Sequence, residues 1–336
     1  MIKLDTDQPE FTRNIWNYLD NAVSAQRIKK GQKLLKKYQQ LFDQLENTYG
    51  VQREIIVAIW AMESDFGRNY GSKNVLRSLA TLAYHGKRAE FAQNELLDAL
   101  SIIQRQNLNP KKLVGSWAGA MGQPQFMPSS YRRYAVDFNH DGKRDLWTSI
   151  PDVLASIANF LAESGWRRDE DWGIEVKLPK PFDWRLNSLA YELRFIQWKK
   201  IGVQTATGKP FKFPQRQANL FIPAGRFGPV FLVTHNFQVI KEYNKSSSYS
   251  LAVAQLSRLL AGGESIRIAW PRADKALSRI QIEEIQRRLN KAGHNAGEVD
   301  GKIGSKTREA IRTWQLEQGF AGDGYPSEAL LQLLRK

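Results

Sequence analysis

The chain has 336 residues, 42% of them hydrophobic and 25% charged, which is enough for more than one folded core and excludes a fibrous or disordered polymer. It contains no cysteine, so disulfides, thiolate metal sites and, for the chain as given, a lipidated N-terminal cysteine are not expected, and no apolar run reaches the ~20 residues of a membrane-spanning helix. The net charge of +15 points to polyanionic surroundings; residues 273–336 hold 11 Lys and Arg against 9 Asp and Glu, so the excess lies in the N-terminal part, and without a basic helix or basic–aromatic signature nucleic acid is not the expected partner.

Residues 1–7 have no apolar signal core, so either the chain stays in the cytoplasm or a signal has been removed. Residues 8–50 predict amphipathic helices, with Phe11, Ile15, Trp16 and Leu19 at helical spacing. Gly50 breaks the pattern before a helix over 51–66, and further helical patterns cover 88–106 and 151–164. From Trp172 to about Phe237 the texture changes. Pro179, Pro181, Pro210, Pro214, Pro223 and Pro229 punctuate short β-rich runs such as 230–234, which predicts a small β-containing insertion. Helical character returns at 248–260, and Gly262-Gly263 followed by Trp270-Pro271 marks a linker. Beyond it Ile282, Ile285 and Leu289, then Ala310, Ile311 and Trp314, then Leu330, Leu331 and Leu334 predict three helices. The turn 299–307 between the first two carries Gly301 and Gly304 and ends in Ser305 as the expected N-cap.

Two segments carry chemistry. In the helix over 51–66, Ile56, Ile59, Trp60, Glu63 and Gly67 share one stripe at about 100° per residue, which sets Glu63 on an apolar face. Desolvation beside Trp60 is expected to raise its pKa and hold it protonated near neutral pH, as a general acid requires. Periodicity alone leaves open a buried glutamate paired with an arginine. Asp65 lies about 200° around the helix, so it is read as helix-end solvation, not a second carboxylate. The run 115–131 is dense in Gly, Ala, Ser and Pro and cannot be an ordinary core helix. Its small residues let backbone amides approach a ligand, while Ser116 and Gln125 offer directional hydrogen bonds. For Trp117, Phe126 and Met127, packing is the expected role.

An acidic loop follows. Asp137, Asn139, Asp141 and Asp145 stand at loop positions 1, 3, 5 and 9, Gly142 at 6 and the Lys143 carbonyl at 7, the oxygen spacing of a calcium loop. Position 12 is Thr148 rather than Glu, so Asp152, at the start of the next helix, is the candidate substitute. Lys143 and Arg144 are expected to weaken affinity, and a metal-free loop held by Asx turns is the alternative. Any ion here is expected to be structural, with Ca²⁺ the candidate; no organic cofactor is expected, and His140 has no partner at zinc-ligand spacing.

The helix end Glu63-Ser64-Asp65-Phe66-Gly67, the run 115–131 and the segment Tyr243-Asn244 with Tyr249 together resemble the B-type lytic murein transglycosylases (glycoside hydrolase family 103). The resemblance spans most of residues 8–270. Residues 279–334 closely resemble the three-helix peptidoglycan-binding domain of cell-wall enzymes. The resemblance implies a mainly α fold: a lysozyme-like helical catalytic core with N-terminal helices and a β-containing insertion over 1–271, plus a C-terminal peptidoglycan-binding domain over 272–336. It implies Glu63 as the catalytic acid and base, cleaving the bond between N-acetylmuramic acid and N-acetylglucosamine without water. The muramoyl acetamido group assists and the 6-hydroxyl closes onto C1 as a 1,6-anhydro end. Ser116 and Gln125 would hold the sugar; Tyr243, Asn244 and Tyr249 match the opposite wall, with Tyr243 or Tyr249 bonding Glu63 or stacking on a ring, although either can serve packing alone. In the family a later Asp completes the acidic-loop site, as Asp152 would here. The implied setting is the periplasm of a Gram-negative bacterium after signal removal, with glycan strands as substrate, cell-wall enzyme complexes as candidate partners and a monomeric state. A hydrolytic muramidase and a non-catalytic wall-binding protein are the alternative readings.

Overall fold

The computed structural model describes residues 14–85, 88–106, 108–188 and 191–336. Phe11 lies outside the described residues; its helical partners Ile15, Trp16 and Leu19 all turn inward on α1 (Ile15–Ala22). There follow α2 (Ala25–Lys37), capped by Ser24 accepting the Arg27 N–H, and α3 (Gln39–Tyr49). Gly50 ends α3 with a left-handed φ of 68°, the conformation glycine adopts without cost.

The next helix, α4 (Arg53–Ser64), packs among α2, α3 and later helices, and every residue from 55 to 61 is buried. It is therefore apolar all round rather than striped. After it come β1 (Lys73–Asn74), α5 (Val75–His85), α6 (Ala89–Gln106), β2 (Val114–Gly115), α7 (Pro128–Tyr134) and α8 (Ile150–Glu163). Helix α5 falls outside the helical segments predicted from the residues. The run 115–131 also ends inside a helix, where Pro128 takes the first helical position, at which its missing N–H costs nothing.

The insertion is a five-stranded antiparallel sheet in the order β4-β6-β7-β3-β5, built from β3 (Gly173–Lys177), β4 (Leu193–Arg194), β5 (Gln204–Thr205), β6 (Gln217–Phe221) and β7 (Val230–Val233), with α9 (Phe195–Lys200) leaving β4. All of β7 is buried, and the period-2 geometry of a strand explains how. Val230 and Leu232 face a small core with Phe195 and Trp198, while Phe231 and Val233 face the main helical core. The sheet is thus the wall between two cores. It stops at Val233, short of the expected Phe237, because α10 (His235–Tyr243) begins there; α11 (Ser247–Leu260) then returns through the helical core.

The linker is strapped down. Glu175 accepts the N–H groups of Arg267 and Ile268 at 2.9 and 2.8 Å, Trp270 packs on Trp16 with ring centroids 6.1 Å apart, and Arg272 pairs with Asp20 at 2.7 Å. Beyond it α12 (Arg279–Lys291), α13 (Ser305–Glu317) and α14 (Glu328–Arg335) form a third core on Ile282, Ile285, Leu289, Ala310, Ile311, Leu330 and Leu331, with Trp314 and Leu334 at its edge. Ser305 is not the N-cap: Gly304 occupies that position and Ser305 is the first helical residue. This unit leans on the insertion, where Asn187 donates to Gly322 O at 2.9 Å and Asp323 accepts the Arg226 N–H at 3.0 Å.

Candidate active site

Glu63 stands in the last turn of α4, at the edge of the main core, and is half-buried. Asp65, Phe66 and Gly67 follow with left-handed φ values of 50°, 61° and 80°, so the chain turns back sharply on itself. Ser64 supports the reversal by accepting the Gly67 N–H at 3.0 Å. Glycine suits position 67: its φ of 80° is one that other residues rarely adopt, and a Cβ there would have to displace Gln123, whose Oε1 would lie 2.2 Å away. Asp65 pairs with Arg68 at 2.7 Å, in keeping with a helix-end role.

Tyr249, in the first turn of α11, donates its hydroxyl to Glu63 Oε1 at 2.6 Å. Burial first, and the Glu63 charge second, push this phenol well above its ordinary value, so it stays protonated and acts as a donor at physiological pH. Tyr243, at the end of α10, is pushed up by the same two causes. Its hydroxyl donates to Pro124 O at 2.8 Å, and its ring packs on Phe160 and Phe126 at 4.6 and 5.9 Å.

The run 115–131 builds the adjoining surface as stacked reverse turns. Gly115 pairs with Lys73 of β1 and bridges to Met121, which bridges to Phe126. A Cβ on Gly115 would lie 1.9 Å from Ala120 O, which is why this strand end has no side chain. Ser116 Oγ accepts the N–H groups of Ala120 and Ala118 at 3.1 and 3.3 Å, so its proton is the part it can offer a ligand. Gln125, at φ 53°, donates through Nε2 to Tyr70 O and Gly122 O at 2.9 and 2.8 Å, which leaves Oε1 as its outward group. Asn244 is exposed in the turn between α10 and α11, where Oδ1 accepts the Ser246 N–H at 3.0 Å. Phe126 is buried; Trp117 and Met127 are half-buried.

Sequence reasoning missed Gln123. It is buried, accepts from Trp60 Nε1 at 2.7 Å and donates to Trp147 O at 2.8 Å, so it joins the Glu63 helix to the segment after the acidic loop. The signal was available in Trp60, because a buried indole N–H demands an acceptor. Removing the bond that orients Glu63 should be costly. Tyr249→Phe is expected to lower kcat by about 10- to 100-fold with little change in KM, the cost of losing a hydrogen bond to an ionisable group. Steady-state release of soluble fragments from purified cell walls measures it, and an unchanged kcat would assign Tyr249 to packing.

In the acidic loop, Asp137 Oδ1 and Asn139 Oδ1 both accept the Asp141 N–H at 3.2 Å, Asp137 Oδ2 accepts the Gly142 N–H at 2.9 Å, and Asp141 Oδ1 accepts the Lys143 N–H at 2.9 Å. His140 and Gly142 take the left-handed φ values of 58° and 84° that curl the loop. Asp145 turns away to the N–H groups of Trp147 and Thr148 at 2.8 and 2.9 Å. Asp152 is fully buried and accepts the N–H groups of Phe138, Asn139 and Asp145 at 2.9, 3.4 and 2.9 Å. Among the described residues no group of three or more acidic or histidine side chains converges as a metal cage in this geometry. The oxygens of Asp137, Asn139 and Asp141 nonetheless lie around the same turn of backbone, a donor set suited to a hard cation.

Residues 1–258 match the family described as Transglycosylase SLT domain, and residues 278–334 match a peptidoglycan binding domain. The chain belongs to the transglycosylase SLT family. The transglycosylase shares 48% identity and a TM-score of 0.95 with SltB3 from Pseudomonas aeruginosa, solved in complex with NAG-anhNAM-pentapeptide; the match covers 100% of this chain and 90% of that one. It is 31% identical over 255 residues to membrane-bound lytic murein transglycosylase B of Escherichia coli (strain K12), covering 75% of this chain and 69% of that protein. Escherichia coli Slt35, solved in complex with calcium, shares 31% identity at a TM-score of 0.65, with 75% of this chain and 80% of that one covered. The transglycosylase is accordingly a lytic enzyme on a mainly α, lysozyme-like fold with a C-terminal wall-binding unit. No described helix is long and apolar enough to cross a membrane.

Proposed function

We propose that this transglycosylase cleaves the β-1,4 bond between N-acetylmuramic acid and N-acetylglucosamine in peptidoglycan, with Glu63 as both acid and base. Glu63 gives its proton to the glycosidic oxygen as the C1–O4 bond breaks, and the muramoyl acetamido group steadies the charge at C1. The 6-hydroxyl oxygen then bonds to C1 while its proton returns to Glu63, so the carboxyl ends as it began and no water is used. Ser116 and Gln125 Oε1 hold the sugar and its acetamido group; Tyr243 and Asn244 form the facing wall.

The observation that carries this reading is the 2.6 Å bond from Tyr249 to Glu63 Oε1, which fixes one carboxyl at the end of α4. Ordinary glycosidases set two carboxylates across the scissile bond. Here Glu63 is the one carboxylate whose charge raises both phenols. The SltB3 complex with an anhydro sugar agrees with a product of this kind. Mass spectrometry of fragments released from purified sacculi is expected to show 1,6-anhydro ends. Reducing muramoyl ends instead would mean that water, not the 6-hydroxyl, is the acceptor.

For the acidic loop the proposed occupant is a structural Ca²⁺, held by Asp137, Asn139, Asp141 and the Lys143 carbonyl, with Asp152 as the frame. The calcium complex of Slt35 supports it. The ion would stiffen the loop between α7 and α8 and take no part in proton transfer. The reading places the catalytic region at 1–271 and the wall-binding unit at 272–336, acting in the periplasm.

A further inference from the structure

A hollow of about 460 Å³ opens at the opposite end of α4 and α11 from Glu63 and Tyr249, between the helical core and the inserted sheet. Glu54, in the first turn of α4, and Arg258, in the last turn of α11, both line it. Each stands about 14 Å along its helix from the catalytic pair, at 1.5 Å per residue. Trp166, Trp172, Phe211 and Phe213 add aromatic walls.

Most charges in this hollow are already committed. Glu170 accepts the His235 N–H at 2.9 Å, Glu175 holds the linker amides, and Glu264 pairs with Arg267 at 2.5 Å. Two are not. Arg258 lies over the Trp172 ring at 4.5 Å and makes one hydrogen bond, to Gly173 O at 2.9 Å, which leaves guanidinium donors unused. Burial works against its charge, opposed by Asp171 and Glu175. Glu54 is half-buried and has no ion pair among the described residues. Burial first, then the charge of Glu46, push its carboxyl up, against its own backbone amide. A carboxyl and a guanidinium left partly unsatisfied on opposite helices, with flat aromatic surface around them, complement a ligand carrying an ammonium and a carboxylate on a short apolar stem.

We propose that this hollow is a second binding site, distinct from the surroundings of Glu63, that takes the peptide stems of the polymer by pairing a free side-chain ammonium with Glu54 and a terminal carboxylate with Arg258. The proposal rests on the peptidoglycan reading for the source of the ligand, but its test does not involve turnover. The probe is the N-acetylated tripeptide Ala-Lys-Ala, whose charges are the lysine ammonium and the C-terminal carboxylate, titrated into the full chain and followed by tryptophan fluorescence and calorimetry. Saturable binding is expected, weakened about tenfold or more by acetylating the lysine, by amidating the C-terminus, or by Glu54→Gln, each removing one charge pair. In Glu54→Gln the acetylated and free peptides should bind alike, which a merely perturbed fold would not produce. The proposal is overturned by no saturable binding up to about 10 mM, or by equal affinity for the charged and neutralised peptides. Glu63→Gln should bind the probe as the parent does, since Glu63 lies about 14 Å along α4 from Glu54, which separates failure here from failure of the assignment of Glu63.

Discussion

Glu63→Gln is expected to reduce turnover by about 10²- to 10⁴-fold, the range general acid catalysis supplies, or about 3–5 kcal/mol of barrier. The substitution keeps the side-chain shape, and the carboxamide oxygen can still accept from the Tyr249 hydroxyl now 2.6 Å from Oε1. It removes the transferable proton and the carboxylate charge while keeping that bond. Binding to sacculi and the thermal transition should therefore survive, while anhydro-muropeptide release is lost. Turnover within about tenfold of the parent would exclude Glu63 as the acid.

Asp152→Asn is expected to destabilise the catalytic region by about 2–5 kcal/mol. Asp152 is buried, and its two oxygens accept three backbone N–H groups, from Phe138, Asn139 and Asp145. Asparagine has one acceptor oxygen and would set an NH₂ against an N–H on the other side, leaving buried donors unmet. Because these bonds frame the acidic loop, calcium uptake by calorimetry should weaken together with the thermal midpoint. A variant as stable as the parent would show that the loop closes without Asp152.

Much of this molecule is readable in the residues, and the limits have physical causes. The C-terminal unit was legible to the residue, because Ile282, Ile285 and Leu289 and their counterparts repeat at helical spacing around a small core. The start of α13 was not, since Ser305 and Gly304 are both acceptable at a helix entrance and only backbone geometry separates them. Glu63 is proposed from a stripe that the fold does not keep as such, for α4 is buried on every side at residues 55–61. What singled it out was the motif through Gly67, and the steric reason for that glycine appears only with Gln123 folded over it. Gln123 and Gln125 stand two residues apart in one polar run, and composition cannot tell the buried brace from the outward one. The calcium-type spacing was plain, whereas the inward turn of Asp152 depends on where α8 begins.

The straps on residues 267–272 bear on how such an enzyme meets an insoluble polymer. A slack tether would let the cutting domain roam a sphere around its anchor, cutting wherever chance brought it. With Trp270 lodged against Trp16 and Arg272 clasping Asp20, the anchor and the cutting edge move as one jig. Under the proposed function, a strand held by the C-terminal helices would meet Glu63 at a spacing set by the fold.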